Sequence, residues 1–366
     1  MVLHQQIQRV LLLGVRFEKP APVPPPRAPE RLATLIAAIA PAHRAFDDRA
    51  VHYGHRYRSG FWSIYLLSAL AVLCAILPLA LGWDNRDSHL HPYAGLWAVA
   101  EVCVIAGVST IFWLGHRRDW QGEWLRTRTT AELTWYLPLL APLVDFRPGA
   151  EDKNWYTRVF DPGEHVESAD EVATLCAENE SLARAALEHA WADPAFVDSY
   201  AQWTIAILQE QRSYHHGIAQ KQHALMHRVH GLNSWLFGLT AVAALSHLLV
   251  HTLWLSLVTT FFPALGASLH GALAQSEAYR LSVTSERLVR ELQSSVERIQ
   301  HAVAQTRGAH GGAGTADERG AASSVAGSAR AHATAVKVSV EDALALILEE
   351  HQDWQMLVRP HHLPLA

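Results

Sequence analysis

Long apolar stretches that alternate with polar stretches set the pattern of this chain. Residues 61–82 carry no charge, and residues 93–114 carry a single acid, Glu101. Each stretch matches the ~20 residues that an α-helix needs to cross the hydrocarbon core of a bilayer. A short polar segment centred on residues 83–87 divides them. The pattern therefore predicts two membrane-spanning helices joined as a hairpin.

A second apolar region runs from Ser234 to Ala274 almost without a break. A single core helix of that apolarity is not expected in a soluble domain. The length instead allows two further spans of ~20 residues, with the turn expected near His251 and Thr252. We therefore predict an all-α integral membrane protein with four transmembrane helices arranged as two hairpins.

Basic residues set the expected orientation of these hairpins. They precede and follow both hairpins, whereas the loops between paired spans hold only Arg86, which two aspartates balance. Segments rich in Lys and Arg stay on the cytoplasmic side of a membrane. Both termini and the long helical extensions are therefore predicted to be cytoplasmic, with the two loops outside.

The polar segments predict further helices and an order of domains. Residues 276–306 contain neither Gly nor Pro and place Leu288 and Leu292 at helical spacing. By contrast, Gly308 to Ala335 is rich in Gly, Ala, Ser and Thr, which favours disorder. Met1 to Phe17 is interpreted as a short strand or a loosely packed arm.

The predicted order is a Pro-rich arm at 1–40, a first hairpin with its flanking helices at 41–146 and a cytoplasmic spacer at 147–193. A second hairpin with its flanks follows at 194–306, then a disordered linker at 307–337 and a C-terminal amphipathic helix at 338–366.

Composition narrows the function classes. Half of the residues are hydrophobic and the net charge is −5, so no broad basic face is available and nucleic acid is not an expected partner. Three cysteines cannot build a disulfide framework. The sequence contains no phosphate loop, nucleophile elbow, HExxH helix or CxxC pair. We therefore expect neither catalytic residues nor a cofactor or metal, and membrane lipid is the expected surrounding.

Glu101 is the strongest single candidate for a functional side chain. An ionisable group within a span is costly and usually faces a bundle interior, a cavity or a pore. The alternative is that Glu101 lies near the outer interface and reaches water. His247, His251 and His270 are further polar candidates in or near the second hairpin, where polar groups bond across helices.

Two other patterns in the second half admit structural and functional interpretations. Ala264, Ala267, Ser268 and Gly271 have the small-xxx-small spacing that favours close helix packing, within one chain or in an oligomer. A stripe of histidines upstream could bind metal or sense acidification. No Cys or Glu completes a metal site there, so packing or a solvated face is favoured. That stripe comprises His216, His223, His227 and His230.

A short motif follows the first predicted hairpin, in which Trp124, Arg128 and Glu132 precede Leu133. This aromatic followed by Arg-x-x-Ala-Glu-Leu resembles the bacterial SLATT group, two-span modules associated with SMODS nucleotidyltransferases and SLOG sensor domains. Tyr279 and Glu286 follow the second hairpin in a similar layout, which suggests a duplication. The chain departs from the family in having two hairpins and no obvious sensor domain.

The resemblance implies a bacterial inner-membrane effector that forms pores in an antiphage or self-killing response when a nucleotide-sensing or SLOG-type partner is triggered. The leading hypothesis is therefore an oligomeric membrane protein that forms or gates a pore. The alternative is a non-conducting scaffold or adaptor that recruits a soluble partner through its cytoplasmic helices. A small transporter is less favoured, because four spans with so few polar groups offer little for a substrate site.

Overall fold

The chain folds into helices throughout the part that the structure describes. The computed structural model describes residues 2–17, 27–83, 85–87, 89, 91–144, 169–250, 252–310 and 318–358, and the all-α class is confirmed there. Short 3₁₀ turns lie at Glu30–Leu32, Ala141–Leu143 and Ala190–Ala192. The α-helices are α1 (Leu3–Leu11), α2 (Ala33–Ala80), α3 (His91–Arg117), α4 (Trp120–Leu140), α5 (Ala169–Leu187), α6 (Pro194–His247), α7 (Leu253–Gln275), α8 (Ala278–His310) and α9 (Glu318–Val358).

Three helical segments of the described chain have the length and apolar composition to cross a membrane, where the sequence predicted four. They are Glu30–Ala80, His91–Arg117 and Leu253–Gln305. The end of α6 is not among them, because this helix stops at His247. The apolar section from Ser234 to that point is shorter than the ~20 residues that a span requires. Membrane character is thus suggested by three helices, and the four-span prediction is confirmed only in part.

The predicted first hairpin is present, and a glycine ends its first helix. Gly82 has φ of +67°, a left-handed conformation that glycine adopts without steric cost. The Trp83 N–H donates to the Pro78 carbonyl at 2.9 Å and the Gly82 N–H to the Leu79 carbonyl at 3.1 Å. These two bonds form a Schellman cap, which satisfies the last carbonyls of α2. The chain then enters α3 at His91.

The chain also turns where the second hairpin was expected to turn. Helix α6 ends at His247 and α7 begins at Leu253, with Thr252 in an extended conformation before it. Leu225, Val229 and Leu236 of α6 share one buried cluster with residues of α7. The two helices therefore pack side by side as a hairpin.

The described chain divides into two compact units. The first unit consists of residues 1–18, 52–121 and 218–283. Its core forms around Phe61 and Trp62 of α2, and Gln275 Nε2 of α7 donates to the Tyr57 hydroxyl of α2 at 2.9 Å. Apolar burial from α2, α6 and α7 therefore holds this unit together.

The N-terminal segment is helical, which corrects the prediction of a strand or a loose arm. Residues 3–11 form α1, which presents Ile7 and Leu11 to the core of the first unit. The apolar residues of this segment recur at intervals of three and four, the helical period. The prediction of a strand was wrong because this periodicity is helical rather than the alternation typical of a strand.

The second unit consists of residues 19–51, 122–217 and 284–366. Its core joins the start of α2 and of α6 with α4, α5, α8 and α9. Tyr200 is fully buried there, and its hydroxyl donates to the Leu139 carbonyl at 2.7 Å. The predicted spacing in α8 is confirmed, since Leu288, Leu292 and Val296 are all buried.

The predicted disordered linker at 307–337 is helical wherever the structure describes it. Helix α8 continues to His310, and α9 begins at Glu318, well before the helix start expected near residue 338. Residues 311–317 lie outside the described residues. Alanine, the commonest residue of this segment, is the strongest helix former. Ala333 and Val336 are buried in the second unit, so tertiary packing adds to that propensity.

Candidate functional site

Glu101 lines a groove between three helices of the first unit. The groove has a volume of about 290 Å³ and opens to the outside of the unit. Among the described residues that line it, the polar side chains are Glu101 of α3 and Thr260 of α7. The remaining lining residues belong to α2 and are Ala71, Val72, Ala75, Ile76 and Leu79.

The position of Glu101 is unusual for a carboxylate. It lies about 12 Å along α3 from Tyr93, at the ~1.5 Å rise per residue of a helix. Within the part of the chain that the structure describes, no ion pair or hydrogen bond to its carboxylate is found. A carboxylate at that depth in a bilayer would require water, a cation or a partner helix. The geometry thus places one acid in an outward-facing apolar groove.

Sequence reasoning missed Thr260 and the α2 wall of this groove. Thr260 has no local signal, because α7 follows α3 only after more than a hundred residues. The predicted hairpin already placed α2 beside α3, but it did not specify which α2 residues face Glu101. The small side chains Ala71 and Ala75 are one helical turn apart and face Glu101 across the groove. Their spacing could have suggested that another helix approaches α2 closely, but not which helix.

Within the described residues, the histidines in and near the second hairpin do not join Glu101 in one site. His247 ends α6, whereas His270 lies near the other end of α7. The His270 ring lies 6.1 Å from that of His230, centroid to centroid, in a stacked arrangement. Neither lines the groove. His251 lies outside the described residues.

The small-residue set on α7 divides between two environments. Ser268 is buried and Gly271 faces Tyr65 of α2, so these two pack within the first unit. Ala267 is exposed and Ala264 is partly exposed. Close packing inside the chain therefore accounts for Gly271 without an oligomer.

The motif of Trp124, Arg128 and Glu132 lies in the second unit. Its Arg128 and Glu132 form an ion pair one helical turn apart. Asp47 of α2 approaches Arg128 at 3.8 Å. The pKa of His215, on α6, is lowered to about 4, chiefly by burial. The charge of Glu132 raises this pKa and the charge of Arg128 lowers it. The imidazole is therefore neutral at pH 7, with its Nδ1 at 3.4 Å from the Ser285 hydroxyl.

The other motif residues differ in their surroundings. Trp124 is partly buried, whereas Tyr279 and Glu286 are exposed on α8. The two halves of the proposed duplication therefore do not place their matching residues in equivalent environments.

Replacing Arg128 with methionine is expected to lower the free energy of unfolding by about 1–3 kcal/mol. The change removes the Arg128 guanidinium from the partly buried Glu132 carboxylate. Loss of an ion-pair partner costs more free energy at a partly buried carboxylate than at an exposed one. Denaturant titration of the full-length protein in detergent measures the difference. The matched control is Arg287→Met, since the Arg287 side chain is 51% exposed and its ion pair to Glu291 is 3.9 Å long. Equal losses in both variants would contradict the structural role of Arg128.

A second polar cluster holds α1 against the rest of the first unit. His4 is buried, and its Nδ1 lies 3.2 Å from the Ser59 hydroxyl of α2. Its ring centroid is 5.3 Å from that of His55. Burial, together with charge repulsion from Arg58, His55 and Lys221, lowers the pKa of His4 to about 4. Docked α1 therefore holds His4 in its neutral form.

Acidification is expected to loosen α1. The docked pKa of about 4 lies below the ordinary 6.5, so docking is strongest above pH 6.5, weakens as the pH falls, and levels off below about 4. Between pH 7.5 and 5.5 the docking constant should fall about tenfold. Hydrogen exchange of the α1 amides, corrected for intrinsic rates, measures this change. His4→Gln should remove the pH dependence, and its persistence would assign the effect to another group.

Comparison of the chain with protein-family models, with curated proteins and with solved structures finds no match. Within the described residues, no group of three or more His, Cys, Asp or Glu side chains is arranged to hold a metal ion.

Proposed function

We propose that this protein is a membrane-embedded homo-oligomer whose apolar helices form or gate a cation-conducting pore. The observation that carries the proposal is the Glu101 carboxylate in an outward-opening apolar groove. In a bilayer this groove would face lipid in a single copy, where a charged group is costly. A second copy against the groove would enclose Glu101 with water or a cation, and acidic rings select cations in pores.

Helix α3 supports assembly of several copies. It buries none of its residues within the chain, although its sequence is apolar. Val99 and Val102, on either side of Glu101, are largely exposed. The surface around the carboxylate is therefore available to lipid or to another copy of α3.

The biological setting is the second part of the proposal. The resemblance of the Arg128 motif to SLATT modules suggests a bacterial inner-membrane effector of an antiphage or self-killing response, with a nucleotide-sensing partner. In that setting the apolar end of α6, from Ser234, is a further span that brings the total to four, and both termini are cytoplasmic. Induced expression in a bacterial host is expected to arrest growth and admit a membrane-impermeant dye.

Conductance measurements test the pore directly. The purified protein is reconstituted into liposomes, and current is recorded with and without cyclic oligonucleotides as candidate signals. Discrete current steps support the pore. Silence under every signal, from protein shown to be folded and inserted, contradicts it.

One observation favours an adaptor as the second candidate. A groove of about 1,090 Å³ lies between α8 and α9 in the second unit. Arg298, His301 and Arg330 line it together with small residues such as Ser294 and Ser339. An adaptor predicts no conductance, and it predicts a co-purifying protein that is lost when this groove is filled by Ala331→Trp.

A further inference from the structure

Helix α1 uses only half of its apolar face to pack on the protein. At 100° per residue, Leu3, Ile7, Val10 and Leu11 form one continuous apolar face. Ile7 and Leu11 pack against the core of the first unit. Leu3 remains 44% exposed and Val10 66% exposed. One edge of the face is therefore largely exposed in the described chain.

The segment after the helix continues this exposed apolar edge. Leu13 and Phe17 are also exposed, although both are large apolar residues. Arg9 and Arg16 are the charged residues between positions 1 and 17, and no acid occurs there. Exposed apolar residues beside cations, without acids, are typical of helices that lie in the interface of an anionic bilayer.

Two contacts place α1 at the edge of the apolar helices. His4 lies against Ser59 of α2, about 3 Å along that helix from Phe61, where the uncharged run begins. Arg228 of α6 donates to the Leu13 carbonyl at 3.2 Å, about 9 Å along that helix from Ser234. Both contacts therefore lie where each apolar stretch meets its polar flank, which is the level of lipid headgroups.

We propose that α1 lies in the headgroup layer of a bilayer carrying anionic lipids, with Leu3, Val10 and Leu13 facing the acyl chains. The inference depends on the membrane residence proposed above, but not on a pore. The occupant of the exposed edge is lipid, because the edge is level with the end of the apolar helices and its flanking charges are positive.

Site-specific fluorescence tests this orientation in the full-length protein. Cys103, the exposed cysteine of α3, is replaced by alanine, and one new cysteine is introduced as Val10→Cys or as Gln5→Cys. Both positions are solvent-exposed on α1 and point to opposite sides of the helix. Cys74 and Cys176 are buried, and burial raises the pKa of the Cys176 thiol, so neither should be labelled in the folded protein.

The labelled proteins are reconstituted into vesicles of phosphatidylethanolamine and phosphatidylglycerol. Brominated lipids are expected to quench the label at position 10 about threefold or more above the label at position 5, with iodide showing the reverse order. Equal iodide quenching at both positions would overturn the proposal. Shielding of position 10 from both quenchers would also overturn it, because a protein would then cover the edge.

A third label separates this proposal from membrane residence itself. The native Cys103, labelled without other changes, reports whether α3 contacts lipid. Lipid quenching at Cys103 but not at position 10 refutes the placement of α1 alone. Absence of lipid quenching at both sites refutes the membrane assignment as well.

Discussion

Glu101→Gln is expected to lower the cation conductance of reconstituted protein by at least about tenfold. The carboxylate raises the local concentration of cations in a narrow apolar passage, and the amide of similar size does not. The substitution breaks no hydrogen bond or ion pair found among the described residues, so folding and insertion should be retained. Single-channel recording measures the conductance, and circular dichroism of the same sample verifies the fold.

The matched control is Glu178→Gln. Glu178 is an exposed acid on α5 in the second unit, so the same chemical change there should leave conductance unaltered. Unchanged conductance in Glu101→Gln would contradict the assignment of this residue to the pore. An equal loss in both variants would indicate a general effect of net charge.

Gly271→Leu is expected to give the largest loss of stability. A Cβ added at Gly271 would lie 2.4 Å from Cε1 of Tyr65, much closer than carbon atoms pack. Helices α2 and α7 would have to separate or the ring would have to leave its place, at a cost of about 1–3 kcal/mol or more. Thermal unfolding in detergent should show a clearly lower midpoint.

Two further variants test the cause of that loss. Gly238→Leu adds the same side chain where no atom lies within 4 Å of the new Cβ, and it should have little effect. Tyr65→Ala in the Gly271→Leu background removes the clash and should restore part of the stability, although it also creates space. If the double variant is no more stable than Gly271→Leu, the close contact is not the cause.

The first hairpin was predictable because its signals are local. An uncharged run, a glycine at position 82 and a short polar loop each act within a few residues, and together they specify helix, cap and turn. The spacing of Leu288 and Leu292 was equally informative, since a helix with one buried face repeats every 3.6 residues.

The predictions that failed concern segments where composition and length gave conflicting or weak signals. Residues 318–337 combine glycine and serine, which favour disorder, with alanine, which favours helix, and burial of Ala333 and Val336 in the second unit decided the outcome. Four spans were predicted rather than three because apolar residues beyond His247, where α6 ends, were counted as part of a span. The site around Glu101 was predictable only as a single residue, because Thr260 reaches it through tertiary packing.

The absence of buried residues in α3 has a consequence for how this helix tolerates change. A side chain that touches only lipid must be hydrophobic and of suitable length, but its shape is not constrained by packing against protein. Exchanges among Leu, Ile, Val and Phe at positions such as Val99 and Val102 should therefore be nearly silent in a saturation-mutagenesis screen. A largely exposed position on α3 that resists such exchanges would mark where another molecule touches it.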